Sequence, residues 1–215
     1  MATRPRQSTP TVIVIDDDQG VREALHGLFQ SVGLAVETYG SVREFVDSKS
    51  PDRPGCMVVD IRLPGQSGLD FQDALATAGE NRPIILISGH ADVPMSVRAM
   101  KAGAVAVLTK PVREQELLDA VQSAIAQDGE RRAEARIREE LEAKFAKLSE
   151  RERQVMALVT AGMQNKQVAA EMSITEATVK LHRGQVMRKL GADSLVDLVR
   201  MADRLNQATS KTSRN

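Results

Sequence analysis

The feature that most constrains the fold is a set of five short apolar runs, rich in β-branched residues, that recur through the first half of the chain. They are residues 11–15 (TVIVI), 34–39 (LAVETY), 56–60 (CMVVD), 84–88 (IILIS) and 104–109 (AVAVLT). Helical patterns follow them, at residues 21–32, 41–47, 69–78, 94–102 and 113–127. Apolar strands that alternate with helices indicate a parallel sheet covered on both faces. We therefore predict an α/β domain over residues 11–128, with a five-stranded, doubly wound parallel sheet.

Residues able to bind metal or phosphate follow four of these strands. Asp16 and Asp17 come directly after the first, Asp60 ends the third, Ser88 ends the fourth, and Lys110 follows the fifth. Ligands of such sheets bind outside the carboxyl ends of the strands. Crowded carboxylates repel one another, and a hard cation such as Mg²⁺ relieves that repulsion. A carboxylate beside the cation can attack a phosphoryl group whose oxygens Lys110 and Ser88 hold, so the pattern predicts an aspartyl phosphate on Asp60.

The second half of the chain contains no strand-like run. From Gly129 a stretch dense in Ala, Glu, Arg and Leu predicts a helical connector at residues 129–147, either a solvated spacer or a helix that dimerises or carries a signal. Residues 148–205 predict a small all-α domain of four helices. Their predicted N-caps are Ser149 (with Glu152 as a capping box), Asn165, Thr175 and Ser194. Only residues 172–174 separate the second helix from the third, a spacing typical of a helix-turn-helix.

The third of these helices has two distinct faces. Three apolar residues share one face and are expected in the core: Val179, Val186 and Leu190. The opposite face combines small residues, an apolar residue and cations, and it includes Ala177, Leu181, Gly184 and Arg188. Such a face suits close approach to DNA. From the residues alone, an amphipathic helix whose cations are merely solvated remains an equal alternative.

Charge is divided unevenly between the two halves. Residues 11–128 contain 10 Lys and Arg against 17 Asp and Glu, a net charge of −7, whereas residues 149–215 contain 11 against 7, a net charge of +4. This division suggests two modules with different partners, the basic one a nucleic-acid binder. The single cysteine, Cys56, excludes an intramolecular disulfide, and no apolar run approaches the roughly 20 residues of a membrane span. We expect a cytoplasmic protein with no membrane partner.

Residues 11 to about 127 resemble the receiver domains of two-component response regulators, which have a flavodoxin-like fold. The segments that carry the resemblance are VIDDD, VVDIRLPGQSG, ISGHAD and TKP. It implies a phosphoryl group received from a sensor histidine kinase on Asp60, with Mg²⁺ (or Mn²⁺) held by Asp17, Asp60 and the backbone carbonyl of Arg62, and with Asp16 in the metal pocket. It also implies a cis bond between Lys110 and Pro111. The chain departs from the family at Val107, where an aromatic residue usually turns inward together with the switch hydroxyl.

Residues 148–202 resemble the LuxR-type helix-turn-helix, most specifically in QNKQVA and in TVKLHR with VMRKL. The resemblance places Lys180, Leu181 and Gly184 at base edges. It implies further DNA contacts, mostly to phosphates, from Asn165, Lys166, Thr178, Arg183 and Arg188. A receiver followed by this module is the layout of the NarL/FixJ regulators. That layout implies a transcription factor, not an enzyme with a separate substrate, that dimerises on promoter DNA and works with RNA polymerase.

Two other functions remain compatible with parts of the sequence. The DDD run after the first strand resembles the motif of haloacid-dehalogenase-like phosphatases, in which Asp16 would be the nucleophile, although Gly20 replaces the family's usual residue. A DNA-binding protein that is controlled by a ligand or partner instead of phosphorylation is the other alternative, because Val107 alters the usual switch.

Overall fold

The computed structural model describes residues 9–89 and 92–212, with side chains described up to residue 206. His90 and Ala91, within the ISGHAD segment, lie outside the described residues. The chain divides into two compact units, Met1–Arg132 and Ala133–Asn215.

The first unit is built on a five-stranded parallel sheet. Its strands are β1 (Thr11–Ile15), β2 (Ala35–Tyr39), β3 (Gly55–Asp60), β4 (Ile84–Ser88) and β5 (Ala106–Thr109). They lie in the order β2-β1-β3-β4-β5, and all neighbouring pairs are parallel. The predicted fold class is confirmed, with strand bounds that differ from the prediction by at most two residues.

Helices cover both faces of the sheet. They are α1 (Gln19–Ser31), α2 (Val42–Ser48), α3 (Gly68–Thr77), α4 (Val93–Lys101) and the first part of α5 (Glu114–Ala146). Alternate residues of the strands feed two separate cores: Ile13, Ile15, Met57 and Val59 lie in one, and Val12, Val14, Cys56 and Val58 lie in the other. Burial on both faces explains why the strands are continuously apolar. It also leaves the carboxyl edge of the sheet as the place where polar side chains gather.

Helix α5 runs continuously from Glu114 to Ala146 and contains Gly129. A glycine inside a helix costs up to about 1 kcal/mol against alanine. Its neighbour Asp128 offsets that cost: this fully buried carboxylate accepts hydrogen bonds from the Gly55 N–H at 2.9 Å and from Arg131 and Arg132. The predicted fifth helix and the predicted connector are therefore one helix.

The second unit contains the end of α5 together with four further helices: α6 (Glu150–Thr160), α7 (Asn165–Met172), α8 (Glu176–Leu190) and α9 (Leu195–Thr212). Leu141 and Leu148 pack into the same core as the buried residues of α6 to α9. The predicted four-helix domain is thus confirmed, and the last turns of the connector complete its core.

The helix starts in this unit agree with the sequence except at α7. Ser149 and Glu152 form the capping box of α6, and Thr175 caps α8. Asn165 does not cap α7. The cap residue is Gln164, whose N–H donates to the Gln167 side chain at 2.8 Å, and Asn165 is the first helical residue. The side chain of Asn165 is engaged by α8 instead.

Candidate functional site

Three carboxylates meet at the carboxyl edge of the sheet. Asp16 follows β1 and Asp60 ends β3, and these two strands are neighbours. One ligand oxygen from each of Asp16, Asp17 and Asp60 lies within 4.8 Å of the others. Asp16 and Asp60 are buried, whereas Asp17 is exposed. Parallel strands end at the same edge, so residues 44 positions apart in the sequence become neighbours.

Lys110 joins this cluster from the loop after β5. Its Nζ donates to Asp16 Oδ2 at 2.6 Å and to Asp60 Oδ2 at 2.5 Å. Its backbone N–H donates to the carbonyl of Ser88 at 2.8 Å, which ties the loop to the end of β4. The bond between Lys110 and Pro111 is cis, as the resemblance implies. The ammonium thus reaches the carboxylates of two different strands.

The pKa values of Asp16 and Lys110 are both raised. Burial raises the pKa of Asp16, and the Lys110 ammonium opposes that effect only in part. Burial alone would lower the pKa of Lys110, but its hydrogen bonds to Asp16 and Asp60 outweigh burial and raise that pKa. Lys110 therefore stays a cation at neutral pH and can face an anion.

The cluster has the donor set of a hard-cation site. Its ligand atoms are all carboxylate oxygens, which suit Mg²⁺ or Mn²⁺. The Arg62 N–H donates to Asp60 Oδ1 at 2.8 Å and so fixes the backbone just beyond that carboxylate. The part assigned to the Arg62 carbonyl stays a prediction. Ser88, fully buried at the end of β4, lies on the same edge of the sheet.

Strand β5 lacks the aromatic switch residue that is usual in receiver domains. Val107 lies in β5, half-buried, and packs against the core that contains Ile13 and Leu86. The chain has a single tyrosine and four phenylalanines, and none lies in β5. An aliphatic side chain therefore occupies the position where the resemblance leads one to expect an aromatic residue.

The second candidate site is the open face of α8. Val179, Val186 and Leu190 are fully buried, as predicted. Lys180, Leu181, Gly184 and Arg188 are exposed together, and 58% of Leu181 is accessible. A Cβ at Gly184 would meet nothing within 4 Å, so no packing inside the protein requires glycine there.

Two residues predicted to contact phosphates bind each other in this structure. Arg183 Nη1 donates to Asn165 Oδ1 at 2.5 Å, which joins α8 to the start of α7. Lys166 is exposed beside them, while Thr178 is half-buried with its hydroxyl 2.8 Å from that of Thr175. The DNA roles of these residues stay predictions.

The sequence interpretation overlooked Arg22. Its guanidinium contacts the backbone of the acidic turn, donating to the carbonyls of Asp16 and Asp17. The signal was present in the spacing, because Arg22 lies one helical turn after Asp18, the N-cap of α1. A side chain at that position reaches back over the cap.

Two family models match the chain. The response regulator receiver domain matches residues 12–122, and the bacterial regulatory proteins of the luxR family match residues 146–202. Together they span most of the chain. The receiver match contains Asp16, Asp60 and Lys110, and so favours the receiver interpretation over the phosphatase alternative.

Curated relatives and solved structures share the whole layout. Nodulation protein W of Bradyrhizobium diazoefficiens is 51% identical over 94% of this chain and 88% of its own length. Response regulator protein TodT of Pseudomonas putida is 46% identical over 92% and 87%. The structure of the response regulator StyR is 44% identical, with a TM-score of 0.81 over 92% of this chain and 100% of its own. Full-length FixJ from B. japonicum is 37% identical, with a TM-score of 0.55 over 93% and 99%.

Among the described residues, no helix has both the length and the apolar character needed to cross a membrane.

Proposed function

The chain belongs to the two-component response regulators of the NarL/FixJ type, and on that premise we propose that phosphorylation of Asp60 controls its binding to promoter DNA. A sensor histidine kinase is the proposed phosphoryl donor, and the cytoplasm is the proposed site of action. The observation that carries the proposal is the contact of Lys110 with both Asp16 and Asp60 inside a three-carboxylate cluster.

Asp60, Lys110 and Ser88 have separate roles in the proposed phosphoryl transfer. Asp60 attacks phosphorus through a carboxylate oxygen, so an oxygen–phosphorus bond forms while the bond from phosphorus to the donor's leaving group breaks. Lys110, a cation already aimed at this carboxylate, stabilises the charge on the transferred oxygens. Ser88 offers its hydroxyl to the product. Water later hydrolyses the acyl phosphate, which returns Asp60 to a carboxylate.

The acidic residues fit a divalent cation. Asp17 and Asp60, the Arg62 carbonyl and the neighbouring Asp16 would hold Mg²⁺ (or Mn²⁺). The bound cation would neutralise part of the charge that accumulates on the phosphoryl oxygens. Asp17 is the exposed member of the cluster and would offer its carboxylate to a cation from solvent.

The proposed output is a dimer on DNA. Helix α4 exposes Val93, Val97 and Met100, which are 77%, 46% and 51% accessible. Three exposed apolar side chains on one short helix favour a protein contact, and a second copy of this chain is the proposed occupant. In the resting state they would stay in solvent or be covered within the chain. Two recognition helices in a dimer would reach half-sites about one DNA turn apart.

The DNA surface we propose is the open face of α8, with Lys180, Leu181 and Gly184 at base edges. Arg188, Lys166 and Thr178 extend this surface, and Asn165 and Arg183 hold α7 against α8 or turn to phosphates. Phosphate contacts position the domain, while base contacts select the sequence. Regulated transcription then requires contact with RNA polymerase.

A phosphate-affinity gel tests the proposal most directly. The full chain is incubated with acetyl phosphate, with and without Mg²⁺, as wild type, Asp60→Ala and the exposed control Asp47→Ala. We expect a Mg²⁺-dependent shifted band in wild type and in Asp47→Ala, and none in Asp60→Ala. A band that persists in Asp60→Ala would show that the nucleophile is another residue.

A further inference from the structure

Arg22 binds the backbone of the acidic turn and not its carboxylates. In the first turns of α1, its Nη1 donates to the Asp16 carbonyl at 2.7 Å and to the Asp17 carbonyl at 2.9 Å. Its side chain is half-buried; the bond to the Asp16 carbonyl is partly buried, whereas the bond to the Asp17 carbonyl is exposed. One nitrogen therefore holds two consecutive peptide groups of the segment that supplies two of the three clustered carboxylates.

Other polar groups of this turn have partners of their own. The Asp16 N–H donates to the Tyr39 carbonyl at 3.1 Å, and the Asp18 N–H donates to Asp16 Oδ1 at 3.0 Å. Asp18 caps α1 through the Val21 N–H. Arg22 donates to the Asp16 and Asp17 carbonyls. The Asp18 N–H bond to Asp16 Oδ1 restrains the peptide group between Asp17 and Asp18 as well, so the Arg22 bonds act together with it.

The orientation of these planes decides where the carboxylates point. Asp17 lies between the two peptide groups that Arg22 holds, so rotation of either plane turns its Cα–Cβ bond. Asp17 is also the exposed member of the cluster.

We propose that Arg22 is a positioning residue for the cation site, acting through the backbone to aim Asp16 and Asp17. The inference rests on the proposed function, because it assigns Arg22 to the site that would hold Mg²⁺. It goes beyond that function by adding a residue that touches neither the cation nor the phosphoryl group.

Two effects of Arg22 on cation binding have opposite signs, which makes the inference testable. A guanidinium near the site repels Mg²⁺, so charge alone predicts that its removal tightens binding. Positioning predicts that its removal weakens binding, and loss of an outer residue that orients ligands typically costs 10- to 100-fold in affinity. The direction of the change therefore identifies the role.

The experiment is a titration of Mg²⁺ into the ¹⁵N-labelled full chain, followed by amide NMR shifts. Arg22→Ala is compared with wild type and with Arg43→Ala, which removes an equal charge from an exposed side chain of α2. We expect Arg22→Ala to weaken Mg²⁺ binding about tenfold and Arg43→Ala to leave it unchanged. The inference would be overturned if Arg22→Ala is folded, with native amide dispersion, and binds Mg²⁺ as tightly as wild type or more tightly.

Phosphorylation by acetyl phosphate gives the second readout. At limiting Mg²⁺, Arg22→Ala should be phosphorylated more slowly than wild type. At saturating Mg²⁺ its rate of phosphorylation should return to that of wild type, which an unfolded variant cannot show. Recovery that fails in a folded variant would mean that Arg22 acts on another step. If wild type neither binds Mg²⁺ nor becomes phosphorylated, that result would contradict the proposed function itself.

Discussion

At the scale of single residues, Gly184 gives the clearest separation of stability from DNA binding. Inside α8 it lowers helix stability by up to about 1 kcal/mol against alanine. A Cβ there would meet nothing within 4 Å, so packing in the free protein does not offset this cost. The position is explained if the DNA backbone or a base edge approaches the helix at this point.

Gly184→Ala should therefore stabilise the protein and weaken its DNA complex. We expect the free energy of unfolding to rise by up to about 1 kcal/mol, because the helix gains propensity without a clash. DNA affinity should fall, because the added methyl group blocks close approach. Urea denaturation measures the first effect, and fluorescence anisotropy with promoter DNA measures the second.

Gly27→Ala is the matched control, since Gly27 is also helical and exposed, and a Cβ there also meets nothing within 4 Å. It should stabilise the chain similarly and leave DNA affinity unchanged. Equal DNA affinity in Gly184→Ala and wild type would mean that this glycine is not at the interface.

Single residues also show where local sequence patterns stop being informative. The N-cap of α7 was predicted one residue late, because Asn165 is the stronger capping type and Gln167, which supplies the bond, looks unremarkable. The bond from Arg183 to Asn165 spans 18 positions and arises only when α7 and α8 pack together. Arg22 was missed because its partners are carbonyl groups, which leave no trace in residue types.

At the scale of elements, α5 is anchored where the receiver fold would be expected to end. Asp128 is fully buried and receives hydrogen bonds from the first residue of β3 and from two arginines of its own helix. Arg132 also binds Asp52 and donates to the Arg53 carbonyl, two residues before β3 begins. These contacts hold the helix across Gly129. The sequence could not show this, since Gly55 and Asp128 are 73 residues apart.

Asp128→Asn should loosen this anchor. The substitution leaves two guanidiniums with a neutral partner, and breaking a buried ion pair costs about 3 kcal/mol, less where the cations keep some water. We expect the free energy of unfolding of the first unit to fall by about 2–3 kcal/mol. Amide hydrogen exchange in residues 129–135 should accelerate. Glu130→Gln, an exposed change on the same helix, should do neither.

The pH dependence of this loss follows from the pKa of Asp128. Burial alone would raise that pKa, but hydrogen bonds from the Gly55 N–H, Arg131 and Arg132 outweigh burial and lower it. The folded state therefore keeps the carboxylate ionised at a lower pH than the unfolded state does. Its stabilisation is present above about pH 4 and disappears as pH falls through the lowered pKa. Urea denaturation should show that the free energies of unfolding of wild type and Asp128→Asn differ by a constant amount from pH 7 to 5. This difference should shrink in stronger acid. A difference that grows in stronger acid would contradict this assignment.

At the scale of the whole molecule, two units of opposite net charge share one chain, with −7 over residues 11–128 and +4 over residues 149–215. The order of elements and the carboxyl edge were predictable, because they follow from local apolar patterns and the geometry of parallel sheets. The length of α5 and the contacts between elements were not, since they depend on residues far apart in sequence. Control of the second unit by the first must therefore be tested on the full chain.

Dimerisation through α4 is the step that would connect phosphorylation to DNA binding. Val97 is 46% exposed at the centre of the apolar surface formed with Val93 and Met100. Val97→Asp places a charge in that surface without disturbing the phosphorylation pocket, and burying an unpaired charge in an interface is costly. The variant should accept phosphate normally yet remain a monomer.

Sedimentation velocity in acetyl phosphate and Mg²⁺ measures this directly at micromolar concentrations. Phosphorylated wild type should sediment as a dimer and phosphorylated Val97→Asp as a monomer with weakened promoter binding. Val46→Asp, at a position 57% exposed on α2, introduces the same charge elsewhere and should dimerise normally. If phosphorylated Val97→Asp dimerises like wild type, another surface forms the dimer. If wild type itself stays monomeric and still gains DNA affinity, phosphorylation acts by exposing α8 rather than by pairing two copies of it.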